Sequence, residues 1–231
     1  MNSFMRHTTL NSLRYGMTKE KHLRTVEKQI KDPSTILGRR FMLGSHSTPL
    51  RNQPSNSSTE TLLDLNRLLE RQATASRQER VYTILMDDID SHYRMWNTET
   101  EKITGKEYGR DFFWDIATCA DGYVNHVKLQ HDRPRPFQIA PYYGKTIRML
   151  VDDPGTGSYP SGHSYDAWLF TMILTMKHPE HRQQFESIAN KISDSRMIAG
   201  VHFLSDLNAG KELAIHALNT IVEYSLLKGI V

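Results

Sequence analysis

Apolar residues are distributed unevenly along the chain, and their pattern changes near residue 57. Beyond that point they recur every three or four residues, which places them on one face of an α-helix. The first three runs of this kind are Leu62, Leu65, Leu68 and Leu69; Val81, Ile84, Leu85, Ile89 and Tyr93; and Phe112, Phe113, Ile116, Ala120, Tyr123, Val124 and Val127. Ser57 and Glu60 precede the first run with the spacing of a capping box.

The second half of the chain continues the helical pattern. Further helices are predicted near residues 164–177, 181–200 and 206–227, and no run shows the alternation of a β-strand. We therefore predict an all-α fold, a helical bundle, in which residues 58–231 form a single domain.

Residues 1–57 have a different character. The stretch 44–58 is rich in Ser, Asn, Pro and Gly, which is typical of a loop, and residues 18–32 have the composition of a polar helix with few apolar anchors. We expect a polar N-terminal arm that is partly flexible and contributes little to the core.

Composition excludes several classes of protein. The 231 residues carry a formal net charge of +3, too little to indicate nucleic-acid binding, and the single cysteine, Cys119, excludes an intrachain disulfide and Cys-rich zinc sites. The longest apolar run, residues 167–176, is too short to span about 30 Å of hydrocarbon. The N-terminus lacks the apolar core of a conventional signal peptide. We expect no membrane span, and a cytoplasmic protein or one exported by an unconventional route.

Candidate chemistry is concentrated in three stretches, of which the first is "KLQHDRPRPF". Lys128 offers a point charge, and Arg135 offers a planar fork that matches two phosphate oxygens. Pro134 and Pro136 keep the backbone of Arg135 extended and so fix its direction. Taken alone, the stretch is also compatible with an ordinary basic loop.

The second stretch is "GSYPSGHS", residues 157–164. It lacks the G-x-S-x-G turn of a serine nucleophile, so Ser161 fits better as a hydroxyl donor to a phosphate oxygen. Gly162 lets backbone N–H groups approach an anion at the start of a helix. His163 would stand beside the bound group as a proton donor.

The third stretch, "SRMIAGVHFLSD", contains Arg196, His202 and Asp206. His202 and Asp206 are four residues apart and would share one face of a helix. The carboxylate could then fix the imidazole tautomer and leave the other ring nitrogen free as a base or nucleophile. A His–Asp pair with this spacing is more commonly a surface contact, so the pair does not identify a site alone.

Together the three stretches resemble the signature of the type 2 phosphatidic acid phosphatase superfamily. Its elements are Lys-x6-Arg-Pro at 128–136, Pro-Ser-Gly-His at 160–163 and Ser-Arg-x5-His-x3-Asp at 195–206. Within the superfamily the chain is most similar to the soluble bacterial class A non-specific acid phosphatases, on "RPRPF", "GSYPSGHS" and "SRMIAGVHFLSD". The segment 61–81 is similar to a helix that those enzymes carry upstream. The resemblance covers roughly 60–227, and residues 1–57 have no counterpart.

The resemblance implies an acid phosphatase of the all-helical type shared with vanadium haloperoxidases. Its catalytic residues would be His202, which forms a phosphohistidine, Asp206, which orients it, and His163, the general acid and base. The phosphate oxygens would be held by Lys128, Arg135, Ser161, Gly162 and Arg196. The substrate would be a small phosphomonoester, phosphate or vanadate would bind as ligands, and no metal or other cofactor is expected. Phosphotransfer activity and a homo-oligomer are left open, and the family would suggest a periplasmic location.

Alternative functions also fit the sequence. One is a vanadium-dependent haloperoxidase, which halide oxidation with vanadate and peroxide would reveal. Another is a binding module in which His126, His131 and the catalytic groups hold zinc or phosphate without turnover, although Lys128 and the arginines would repel a cation. A third is an exported effector phosphatase that acts on a host phospho-compound. The aromatic residues near the motifs are candidates for stacking on a nucleobase or for the core; they are Tyr143, Tyr159, Tyr165 and Phe203.

Overall fold

The computed structural model describes Leu10, residues 13–14, Leu50 and residues 52–227, without the side chains of Thr118, Cys119 and residues 220–227. It contains eight α-helices within that part of the chain. They are α1 (Thr59–Thr74), α2 (Arg77–Leu85), α3 (Ile89–Thr104), α4 (Arg110–His131), α5 (Pro136–Ile139), α6 (Gly162–Lys177), α7 (Arg182–Ile198) and α8 (Leu204–Leu227). Short 3₁₀ helices occupy Ala140–Tyr143 and Pro179–His181. No strand occurs among the described residues, and the predicted all-α fold is confirmed.

Side-chain caps mark the starts of the first two helices. Ser58, not Ser57, is the N-cap of α1, and its side chain accepts a hydrogen bond from the Thr61 backbone N–H. The predicted capping box is therefore wrong at this helix. A capping box does occur at α2, between Ser76 and Glu79.

The apolar run 81–93 does not form one continuous helix. Helix α2 ends at Leu85, and α3 begins after Asp88, whose side chain accepts from the Ser91 backbone N–H. The turn between them changes the direction of the chain, so the apolar faces of α2 and α3 do not form one continuous stripe. Tyr93 is buried, whereas the apolar residues before it in this run are exposed. Their exposed fractions are Val81 51%, Ile84 52%, Leu85 55% and Ile89 39%.

Helix α6 lies at the centre of the core. Its apolar residues are buried around most of its circumference, as expected of a helix enclosed by neighbours, and it packs against α4, α7 and α8. Phe170 of α6 meets Trp96 and Phe113 edge to face, with ring centroids 5.8 and 5.2 Å away. None of the described helices is sufficiently long and apolar to cross a lipid bilayer.

A second, smaller apolar cluster joins α1 to the segment before α8. It contains Leu10, Leu65, Ile139, Ala140 and Phe203. The Asn56 side-chain amide donates to the carbonyl oxygens of Leu10 and Leu13 at 2.9 and 3.0 Å. Leu10 is thus an exception to the expectation that the arm contributes little to the core. The predicted polar helix at 18–32 lies outside the described residues.

Gly210 allows α8 to lie directly against the start of α6. A Cβ atom on Gly210 would stand 2.6 Å from the Ser161 carbonyl oxygen and 3.0 Å from the Ser164 Cβ. Only a hydrogen fits there, so this contact determines how closely Asp206, one turn earlier on α8, approaches the N-terminus of α6.

We predict that Gly210→Ala lowers the free energy of unfolding by about 1–3 kcal/mol, because a backbone carbonyl cannot move aside cheaply. Gly122→Ala in α4 is the matched control, since its Cβ would meet nothing within 4 Å. The control should be neutral or stabilising by about 0.5–1 kcal/mol. Urea denaturation measures both, and equal effects of the two substitutions would contradict the close-approach explanation.

Candidate active site

The structure brings the three predicted stretches together at the N-terminus of α6. The Ser161 backbone N–H donates to the Asp206 carbonyl oxygen at 2.9 Å, and Arg135 Nη1 lies 2.9 Å from His202 Nε2. Arg196 and His202 both lie close enough to His163 to influence its ionisation. Lys128, near the end of α4, is buried beside the same cations. All eight predicted site residues thus lie close together around the N-terminus of α6.

Arg135 has the extended backbone that the flanking prolines predict, with φ −71° and ψ 157°. Its side chain is buried and fixed by carbonyl oxygens: Nε donates to Thr156 at 2.9 Å, and Nη1 donates to Val201 at 2.8 Å. Since a guanidinium has no acceptor, His202 Nε2 accepts from Nη1. The lone pair of that imidazole nitrogen therefore faces into the cationic pocket.

His202 and Asp206 meet across the start of α8 and do not share a helical face. His202 lies in the loop before α8, whereas Asp206 belongs to its first turn. The Asp206 Oδ2 atom accepts from the Phe203 backbone N–H at 2.9 Å and lies 3.4 Å from His202 Nδ1. The expectation of a pair along one helix is corrected. The carboxylate still faces Nδ1, while Nε2 faces Arg135.

Arg133 holds Asp206 in place, a role that the sequence analysis missed. Its Nη1 is 2.6 Å from Asp206 Oδ1, both side chains have 0% exposure, and the guanidinium covers the Phe203 ring at 4.3 Å. Burial alone would raise the pKa of Asp206, but the charge of Arg133 and hydrogen bonds from His202 and the Phe203 backbone hold it well below the usual range. The signal available in the sequence was the first arginine of "RPRP".

Helix α1 supports the same turn from outside. Thr61 Oγ1 accepts from Arg133 Nη2 at 3.3 Å. Asp64 accepts from both the backbone N–H and the hydroxyl of Ser205, the residue before Asp206. These contacts explain why Thr61 and Asp64, two polar residues, face inward among the leucines of α1.

Arg196 is anchored by a carboxylate from the turn between α2 and α3. Its Nη2 donates to Asp87 Oδ1 at 2.7 Å, while the side chain is 1% exposed. No described residue accepts a hydrogen bond from its buried Nε or Nη1. Both N–H groups are therefore available as donors to an anion. Asp87 was not predicted, because nothing local to it indicates its partner 109 residues away.

The first residues of α6 supply the remaining donors. Ser161 is the N-cap, and its hydroxyl oxygen lies 3.4 Å from the Ser164 backbone nitrogen, so its proton remains able to donate elsewhere. Gly162 is the first helical residue, and its N–H has no partner within the helix. Lys128 Nζ donates to the Gly157 carbonyl oxygen at 2.8 Å. His163 Nε2 is buried, and no described residue forms a hydrogen bond with it.

The site places Lys128 and the imidazoles of His163 and His202 beside two buried arginines, Arg135 and Arg196. Burial, followed by the charge of Arg135, lowers the pKa of Lys128 well below its usual value. Burial and then Arg196 do the same for the pKa of His163, and burial and then Arg135 for the pKa of His202. Each of these shifts has the sign expected where positive charge is crowded into a buried space. The site is therefore suited to an anion.

The alternatives left open by the sequence are less well supported by the geometry. Among the described residues, no group of three or more His, Cys, Asp or Glu side chains is arranged to hold a metal ion. The His131 ring instead packs against Tyr159, with centroids 4.8 Å apart. Tyr159, Tyr165 and Phe203 are buried, so they belong to the core.

Comparisons with known proteins agree with this geometry. Residues 116–228 match the sequence profile of the PAP2 superfamily. A non-specific acid phosphatase of Providencia stuartii is 29% identical over 109 residues, covering 46% of this chain and 43% of the relative. A non-specific acid phosphatase of Salmonella typhi is 38% identical over 89 residues, covering 37% of this chain and 34% of the relative. The chain thus spans less than half the length of these curated relatives.

One solved structure shows the same fold. A bacterial vanadium-dependent iodoperoxidase superposes with a TM-score of 0.54 at 14% identity, covering 77% of this chain and 51% of that one. The predicted resemblance to the PAP2 superfamily and to the bacterial class A acid phosphatases is confirmed over residues 116–228.

Arg133→Met should lower the free energy of unfolding by about 3–5 kcal/mol at pH 7, because it leaves the Asp206 carboxylate buried without its partner. Arg94→Met is the control, since Arg94 is 68% exposed in an ion pair with Asp90. That pair should contribute about 0–1 kcal/mol. Chemical denaturation of both variants measures the difference. A loss for Arg133→Met as small as that of the control would show that Asp206 does not depend on this pair.

Proposed function

We propose that the protein hydrolyses small phosphomonoesters through a phosphohistidine on His202, without a metal ion. The observation that carries the proposal is the position of His202 Nε2. It lies 2.9 Å from Arg135, near the buried basic side chains of Lys128 and Arg196, and its ring faces the ionised carboxylate of Asp206. A nucleophilic nitrogen among donors for phosphate oxygens is what phosphoryl transfer to an enzyme requires.

Binding of the substrate would be governed by charge. Two N–H groups of Arg196 and the guanidinium of Arg135 would hold non-bridging oxygens, with Lys128, the Ser161 hydroxyl and the Gly162 N–H completing the set. A phosphomonoester dianion offsets the excess positive charge, and the helix N-terminus favours it further. Because Asp87 and carbonyl oxygens already fix the arginines, little reorganisation accompanies binding.

The first chemical step would form the phosphoenzyme. Arg135 Nη1 would exchange its hydrogen bond with His202 Nε2 for one to a phosphate oxygen. The freed lone pair of Nε2 then attacks phosphorus as the bond to the leaving oxygen breaks. His163 gives a proton to that oxygen, so that it departs as an alcohol. The imidazole of His202 becomes positively charged, and Asp206 stabilises that charge, since Arg133 keeps the carboxylate ionised.

The second step would release phosphate. His163, now neutral, removes a proton from water, the water oxygen attacks phosphorus, and the P–N bond electrons return to His202. An alcohol that entered in place of water would receive the phosphoryl group instead, which is phosphotransfer. The natural substrate is a separate question that a panel of nucleotides, sugar phosphates, inositol phosphates and phospholipid head groups would address.

We expect His202→Ala to abolish turnover of a chromogenic phosphomonoester while the fold is retained. His163→Ala should reduce kcat/KM by roughly 10²–10⁴-fold on alkyl phosphates, whose leaving groups need a proton, and by much less on aryl phosphates. Quenching with labelled substrate in alkaline detergent, in which the P–N bond survives, should detect a phosphoenzyme in the wild type and none in His202→Ala. Near-native activity of His202→Ala would exclude the mechanism.

Binding of a dianion should be coupled to proton uptake. His163 has a lowered pKa in the free site, and two added negative charges raise it, so the site should take up a proton when the dianion binds. Sulfate is a suitable probe because it remains a dianion at neutral and mildly acidic pH. Calorimetry in buffers of different ionisation enthalpy should show uptake and tighter sulfate binding as the pH falls, and both should diminish in His163→Ala. Affinity that is independent of pH would contradict this account.

A further inference from the structure

We propose that His92 is a positioning residue for His163: its ring stacks on one face of the His163 imidazole and fixes the direction of the His163 Nε2 atom. The inference rests on the proposed function, in which His163 transfers the proton. It extends that function to a residue of α3, outside every predicted motif.

The two imidazoles are nearly parallel. Their centroids are 5.6 Å apart, with an angle of 8° between the ring planes, which is the separation of an offset stack. His92 is fully buried, at 0% exposure, and therefore cannot turn outward to solvent.

Neighbouring aromatic residues fix the His92 ring itself. The Trp96 indole N–H, one turn later on α3, donates to His92 Nε2 at 3.0 Å. The rings of Tyr93 and Phe170 lie 5.7 and 6.1 Å from it. Because Nε2 accepts this bond, the ring carries its proton on Nδ1 and is neutral. Burial and then the charge of Arg196 lower the pKa of His92 to about 3, in keeping with that state.

His163 needs such a support because it has one hydrogen-bond anchor. That anchor is the backbone of Met86, and a ring held at one atom can still pivot about it. A rigid parallel ring removes this freedom, so Nε2 keeps one direction toward the leaving oxygen. A general acid misdirected by a fraction of an ångström loses much of its effect.

The stack also suits the charge that His163 carries during catalysis. Besides the Met86 backbone, the groups of the described chain that act on it are Arg196 from α7, His202 from the loop before α8, and His92 from α3. The two imidazoles are neutral, and the bound phosphate would offset the positive charge of Arg196. A neutral π-face accommodates a protonated His163, whereas a charged partner there would repel it.

Two substitutions at His92 separate stacking from mere packing. His92→Phe keeps a flat ring but removes the acceptor for Trp96, whereas His92→Gln keeps a side-chain acceptor but removes the ring. The readout is the ratio of kcat/KM values for an alkyl phosphate and for p-nitrophenyl phosphate, whose leaving group needs little protonation. Phe113→Leu, in the same apolar cluster but not against His163, is the control for general loosening of the core.

We expect His92→Gln to lower kcat/KM for the alkyl phosphate at least about tenfold more than for p-nitrophenyl phosphate, the selective pattern of a displaced general acid. His92→Phe should preserve the wild-type ratio within about threefold, and Phe113→Leu should leave the ratio unchanged. Circular dichroism and sulfate binding verify that each variant is folded.

The outcomes distinguish this inference from the proposed function. If the wild type forms a phosphoenzyme and His163→Ala shows the selective loss, but His92→Gln lowers both substrates equally, then His92 is structural and the inference is overturned. The same conclusion follows if His92→Phe is selectively impaired and His92→Gln is not. If the wild type turns over neither substrate, the proposed function fails and the inference fails with it.

Discussion

The buried ion pair between Arg133 and Asp206 is the interaction on which the rest of the site depends. A carboxylate with 0% exposure is tolerable only beside a fixed cation, and Arg133 supplies it at 2.6 Å. The pair ties the segment after α4 to the first turn of α8. The same Asp206 accepts from the Phe203 backbone and faces His202, and its own carbonyl oxygen accepts from Ser161. One carboxylate therefore connects His202, the proposed nucleophile, to the N-terminus of α6.

The site holds one ionised carboxylate and three neutral imidazoles close together. Asp206 is kept charged by a dedicated partner, whereas the imidazoles of His92, His163 and His202 are kept neutral by burial and by neighbouring arginines. The free site accordingly has an excess of positive charge and titratable rings that have not yet taken protons. Under the proposed function, binding of a phosphate dianion would offset the positive charge and raise the pKa of His163, so that substrate binding itself would protonate the general acid.

The sequence was sufficient for the parts of the structure that depend on local pattern. Helical periodicity predicted the bundle. The three motif stretches contained the eight residues that lie together at the N-terminus of α6. It was insufficient wherever a residue's role depends on a distant partner. Asp87 and His92 carry no local mark, because their partners are Arg196 and His163. Periodicity also cannot detect a turn such as 86–88 when both flanking helices keep their own apolar residues.

The distribution of these supports along the chain has a consequence for how the domain should be delimited. The family profile begins at residue 116, yet Thr61, Asp64, Asp87 and His92 all precede it. A fragment cut at that boundary would contain every signature residue and lack the groups that aim them. A chimera exchanged at residue 116 would therefore transfer the signature residues without the side chains that hold them in place.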